Sequence, residues 1–250
     1  MSENDFFIGW AETPKPDRRF FLGAGLALLG GTAGAAGLLA ANQNRPGPGN
    51  WTIGEVREFR GIATATPYAM LYTEDIDGTP RTALLACQGK CGVSAKIGSF
   101  SGQQVTVKGS LIQRGAHAMI AVVDGLDWIA GQEANFATTA MSFPDIETLG
   151  EVKLRGEILD TKCWFGAMRP SEGKVHKACA SLCIRGGIPP AFYVQDARKQ
   201  KALMIMTDHG VGFGHDLLEF VADPVEISGT LRRQGDLVFF DTSAKRIQRL

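Results

Sequence analysis

Two stretches of this chain are written to one pattern, and the repetition limits the folds open to it. Gln104 to Gly125 reads QVTVKGSLIQRGAHAMIAVVDG, and Pro224 to Ser243 reads PVEISGTLRRQGDLVFFDTS. Both run apolar-x-apolar-x-Gly-x-Leu, then a polar turn holding Gly115 or Gly235, then a second apolar run. Alternation of period two broken by a glycine turn is the mark of a β-hairpin. Upstream, Thr82 to Cys87 (TALLAC) matches Lys201 to Met206 (KALMIM) at nearly the same distance before its hairpin. Further up, Glu55-Val56 with Arg60-Gly61-Ile62 echoes Glu151-Val152 with Arg155-Gly156 and Ile158. Each half also has a short helix-like piece before its hairpin, Ser94 to Phe100 and His215 to Phe220. Three blocks agreeing in order and spacing point to two copies of one small fold.

Strand, strand, strand, short helix and hairpin is the order of a small five-stranded OB-type barrel, whose closure removes exposed sheet edges. The expected fold class is therefore mostly β. It consists of two tandem OB-like five-stranded barrels, at residues 52–132 and 149–250, joined by 132–148. The 31 glycines and sparse aromatics suit turns and short strands. The halves differ in one place. In the first, the strand after Gly61 runs straight into TATPYAMLYTED and a turn at Asp77-Gly78. In the second, the equivalent strand ends at Cys163, and residues 163–190 are inserted before Ala191-Phe192-Tyr193-Val194.

The insertion, CWFGAMRPSEGKVHKACASLCIRGGIPP, holds three of the five cysteines and one of the four histidines. Pro170-Ser171-Glu172-Gly173 reads as a turn with Ser171 as helix N-cap. Lys174 to Arg185 then reads as a helix stopped by Gly186-Gly187. On it His176, Cys179 and Cys183 share one face. At ~1.5 Å per residue, however, His176 and Cys183 lie about 10 Å apart along the axis. Ligands of one tetrahedral ion must come within roughly 4 Å of one another. Either the first turn is unwound at His176, or only part of the set binds together.

Two main readings of the cluster stand. In one, Cys163, His176, Cys179 and Cys183 form a Cys3His metal site, for zinc, for copper as Cu(I), or for an iron–sulfur centre. In the other, Cys163 pairs with Cys179 or Cys183 and staples the helix to the barrel, and the chain is a metal-free module that binds a partner or polysaccharide through its barrel faces. A catalytic thiol is a third and lesser reading. Cys87 and Cys91 flank Gln88-Gly89-Lys90, where a local disulfide is favoured over a reduced pair. His209 and His215, near the loop following Met206, read as surface residues rather than as part of a site, His117 as solvent-facing, and Met168 and Trp164 as packing. Nucleophile-elbow, P-loop, dinucleotide-binding and H-E-x-x-H motifs are missing, and no carboxylate pair stands out. A non-enzymatic subunit or electron-transfer protein fits that better than an enzyme.

The first fifty residues read as an address. Phe20 to Ala41 is a run without charge, long enough for the ~20 residues that cross a bilayer. Arg18-Arg19-Phe20-Phe21-Leu22 before it resembles a twin-arginine export signal, as does the Gly- and Ala-rich run itself. Leu39-Ala40-Ala41 lacks a small residue where a cleavage site needs one, so an uncleaved anchor is favoured over removal, and over a buried helix of a soluble domain. Lys15, Arg18 and Arg19 precede the run and only Arg45 closely follows. That charge bias keeps the N-terminus cytoplasmic and places the globular part in the periplasm of a bacterial inner membrane. The membrane, through residues 20–41, is then one partner, and integral-membrane or redox proteins are others. Lys plus Arg and Asp plus Glu number 26 each, so nothing attracts nucleic acid globally.

The run Gly156-x-Ile158-x-Asp160-x-x-Cys163, followed by His176, Cys179, Cys183 and Gly187, is similar to small exported bacterial domains of unassigned function with a Cys…His-x-x-Cys-x-x-x-Cys signature. The likeness covers roughly residues 150–250. It implies that the cluster acts as one unit and carries no activity with it.

Overall fold

The structure is a computed structural model that describes residues 15–42, 49–74, 79–131, 142–195 and 201–250. The expected turn at Asp77-Gly78 and residues 132–141 of the expected linker lie outside the described residues. Two units follow one another. The first, within residues 1–45, contributes one long helix, α1 (Lys15–Asn42), with side chains described as far as Gly34. Among the described residues, no helix is long and apolar enough to cross a membrane.

The second unit, residues 46–250, is mostly β. Its first sheet comprises β1 (Asn50–Trp51), β2 (Arg57–Thr64), β3 (Met70–Glu74), β4 (Pro80–Ala86), β5 (Gln104–Arg114), β6 (His117–Val122) and β7 (Ile129–Gly131). A short helix, α2 (Ser94–Ile97), follows β4. Pairing runs β5-β2-β3-β4-β6 and returns from β6 to β5, so five strands close a barrel. All these pairs are antiparallel except β4 with β6.

The second sheet comprises β8 (Ile146–Asp160), β9 (Pro190–Gln195), β10 (Lys201–Asp208), β11 (Val211–Gly212), β12 (Pro224–Gln234), β13 (Leu237–Asp241) and β14 (Ile247–Arg249). Here β8, β9, β10, β13 and β12 pair in turn, and β12 returns to β8. The one parallel pair is again third strand to fifth, β10 with β13. The repeat seen in the sequence is thus a repeat of strand order. β8 starts three residues before the expected boundary at 149, because it follows β12 along its whole length to Gln234.

Gly61 and Gly156 occupy equivalent places in the two copies, on the first strand opposite the second. A Cβ on Gly61 would lie 2.0 Å from the Tyr72 carbonyl oxygen, and one on Gly156 2.2 Å from that of Tyr193. Only a residue without a side chain lets the two backbones approach this closely.

Three apolar clusters explain why TALLAC and KALMIM are continuous rather than alternating. Leu71, Leu85, Val107 and Ile120 fill the first barrel. Ile158, Phe192, Met206 and Phe240 fill the second. Met70, Leu84 and Met119, one residue out of phase, point instead at Leu159, Tyr193, Ile205 and Phe239 of the other barrel. Successive strand side chains face opposite sides, so these strands are buried on both. The barrels therefore share an interface core. Tyr68 ties it further: its hydroxyl donates to the Met206 carbonyl at 2.6 Å and accepts from the Phe213 N–H at 2.8 Å. Burial holds that phenol far above its ordinary pKa, so it stays a donor.

Candidate metal centre

The insertion folds back onto this interface. After Asp160 the chain makes a wide helical turn, Cys163–Ala167, which places Cys163, Trp164 and Phe165 in the shared core. Gly166, at φ 151°, ends the turn and sends the chain outward to Met168. A tight turn, Lys174–His176, leads into α3 (Lys177–Arg185). The expected helix from Lys174 thus begins with a tighter helical turn, and its α-helical part starts three residues later, at Lys177. Ser171 does not cap it; the residue is buried, and no side chain caps α3. Gly186-Gly187 ends the helix as read, with the Ile188 N–H bonded to the Cys183 carbonyl.

The three cysteines of the insertion are free, and their sulphur atoms lie within 4.8 Å of one another. Cys163 Sγ and Cys179 Sγ are 3.8 Å apart. Two sulphurs bound to one tetrahedral ion through ~2.3 Å bonds would be about 3.8 Å apart. His176 joins a different group. Its Nε2 lies 2.9 Å from Asp160 Oδ2, and the pair is almost wholly buried. Asp160 Oδ1 accepts from the Cys163 N–H at 2.8 Å. Asp160, Cys163 and His176 form a second set with ligand atoms within 4.8 Å, and Cys163 belongs to both. The helix offset foreseen from the sequence is resolved by the second of its two outcomes: the cysteines meet, and the histidine orients the residue beside them.

The first barrel completes the site. Cys87 and Cys91 form a disulfide, as their spacing suggests. The loop it closes rests on the end of α3. A Cβ on Gly186 would fall 1.8 Å from the Lys90 carbonyl oxygen, and the Gly92 N–H donates to the Gly186 carbonyl at 2.8 Å. Lys90 reaches from this loop to the sulphurs, its Nζ 2.7 Å from Cys179 Sγ and 3.6 Å from Cys183 Sγ. Lys162 is buried beside Cys163, and its ammonium donates to the carbonyls of Cys87, Gln88 and Gly89 at 2.6, 2.9 and 2.7 Å. A buried cation needs such partners, and here it holds the disulfide loop against the insertion.

The electrostatics sort the thiols. The hydrogen bond from Cys163 to Cys183, with burial, pushes the Cys163 thiol far up. The same bond pulls the Cys183 thiol down, helped by Lys90. The Cys179 sulphur in turn raises the Lys90 ammonium. Burial lowers Lys162. The site is a sulphur cluster with one end poised toward thiolate and two cations set to balance it.

Other expectations need correction. His117 does not face solvent; its ring stacks on Phe165 at 5.4 Å between centroids and meets the Trp164 edge at 5.6 Å. Trp164 is in the core as expected, beneath Arg114 at 4.2 Å. Met168 does not pack; it is 42% exposed, with its Sδ 3.4 Å from Cys179 Sγ. His209 and His215 are exposed. Sequence reasoning missed Lys90, Asp160 and Lys162 as parts of the site. The signal was there: Lys90 sits between two cysteines, and Asp160-Thr161-Lys162 leads directly into Cys163.

His117 yields a pH dependence. Burial, with Arg114 nearby, holds its pKa below the ordinary 6.5, against a partial counter-effect from Asp236. The folded state then binds fewer protons than the unfolded chain, so stability is full above about pH 6.5 and falls as pH drops below it. Against His117→Phe, which keeps the stacking, wild type is expected to lose melting temperature faster on acidification below that point. Parallel curves for the two proteins would contradict this.

Comparison with protein-family models finds no match to this chain, and comparison with curated proteins finds none either.

Proposed function

We propose that this is an exported, membrane-anchored protein whose second barrel holds a thiophilic metal ion through Cys163, Cys179 and Cys183. Its role in this reading is that of an accessory or electron-transfer component of a respiratory-type membrane complex. The observation that carries the metal is the convergence of three free cysteine sulphurs from two elements, with a 3.8 Å spacing that suits a shared ion. A disulfide staple would use two of them and leave the third idle. Both strand rings follow the order first-second-third-fifth-fourth of an OB-type barrel, so we read the molecule as two OB-like modules, with the insertion of the second as its functional addition. Arg18-Arg19 and the uncharged run within α1 support export by a route that accepts folded, cofactor-loaded proteins, and attachment through residues 20–41. The N-terminus then lies in the cytoplasm and the barrels in the periplasm of a bacterial inner membrane, within reach of redox or integral-membrane partners.

One preparation tests the reading. The full chain is expressed in a twin-arginine-competent host, fractionated, and analysed for metal and free thiols. The expected result is protein in the membrane fraction carrying about one metal per chain, with Cys163, Cys179 and Cys183 unbridged. Metal-free protein with at most one free thiol would sink the metal reading. A soluble product shortened at its N-terminus would sink the anchor.

A further inference from the structure

We infer that Met168 is the fourth ligand of this centre, and that the ion it takes is monovalent copper. The inference rests on the metal reading above and goes beyond it by naming the ion and a ligand from outside the cysteine set. Met168 Sδ lies 3.4 Å from Cys179 Sγ, so the thioether already touches the thiol cluster. Its side chain is 42% exposed, at the rim of a site whose other members are buried or half-buried, beside a cleft that it lines with Trp51 and Ile53. The chain is turned toward it by Gly166, at a φ of 151°.

The donor set then consists of sulphur alone. The nitrogen ligand that zinc would favour, His176, comes within reach of Cys163 but not of all three sulphurs, and its Nε2 is held by Asp160 at 2.9 Å. Thiolate and thioether together are soft donors that select Cu(I); a thioether adds little for zinc. Lys90, its ammonium 2.7 Å from Cys179 and 3.6 Å from Cys183, brings one positive charge to the sulphurs, whereas the Lys162 ammonium is engaged by the Cys87, Gln88 and Gly89 carbonyls. Lys90 holds the sulphur face in the absence of metal and would move off Cys179 on loading.

The test uses the full chain, with three free thiols confirmed first. Cu(I) is presented from a competing chelator with ascorbate, which keeps copper monovalent and spares the Cys87–Cys91 disulfide; Zn(II) is titrated separately. Met168→Leu is expected to weaken Cu(I) binding by about tenfold or more, since loss of even a ligand's supporting partner costs ~10–100-fold, and to leave Zn(II) binding unchanged. Copper X-ray absorption of the loaded wild type should show sulphur alone in the first shell, one fewer in the variant. Equal effects on both metals, no effect on either, or nitrogen in the shell would overturn the inference and leave the metal reading standing. Failure of wild type to bind either metal would overturn both.

Discussion

Serine in place of Cys163, Cys179 or Cys183 is expected to abolish metal binding in each case. The three sulphurs converge from the wide turn after β8 and from α3, and none is held in reserve. Serine offers a harder oxygen that is not deprotonated at neutral pH, so each variant loses a thiolate that Met168, a neutral thioether, does not replace. Because binding energy is partly folding energy, metal-loaded wild type should melt well above all three variants. The comparison must be made on binding and on the loaded protein. Without metal the variants will differ, since Cys163 and Cys183 are 3% and 1% exposed while Cys179 is half-buried. Isothermal titration and melting curves with and without metal give both quantities. Two severe losses and one silent substitution would mean that two cysteines pair with each other, and the metal reading would fall.

Asp160→Ala is expected to cost about 2–5 kcal/mol of stability. The carboxylate is wholly buried and serves two partners, the Cys163 N–H and the His176 ring. Its removal strands both, and each buried polar group left unsatisfied costs ~1–3 kcal/mol. In a chain of this size the melting temperature should fall by roughly 5–15 °C. Asp160→Asn keeps an oxygen for the Cys163 N–H and should lose less. His176→Ala is expected to lower stability while sparing much of the metal affinity, and the Asp160/His176 double variant should fall short of the sum of the singles. A loss under about 1 kcal/mol for Asp160→Ala would mean that the pair does not anchor the insertion.

The order of elements along the chain and the hairpin turns were legible in the sequence because they are local. Period-two alternation and the turn glycines at 115 and 235 recur in register, as do Gly61 and Gly156, although the backbone approach those two permit is shown only by the structure. The end of α3 at Gly186-Gly187 is equally local. The disulfide between Cys87 and Cys91 follows from a spacing short enough to close by itself. These are determined by propensities within a few residues of one another.

The interface and the site belong to the tertiary structure. Continuous apolar runs in β4 and β10 show burial on both faces but not against what; only the packing of one barrel on the other assigns Leu84 and Ile205 to a shared core. Cys163, Cys179 and Cys183 are close in sequence, yet their convergence depends on a wide turn after β8 and a tightened first helical turn that follow no simple period. Lys90 comes from the other barrel, about ninety residues upstream of Cys179. Asp160 withdraws His176 through a bond that exists only once β8 and α3 are packed. A ligand set is a statement about distances across a fold. The chain carries its donors in order, but their selection waits on how two repeated barrels close over the one insertion that makes them different.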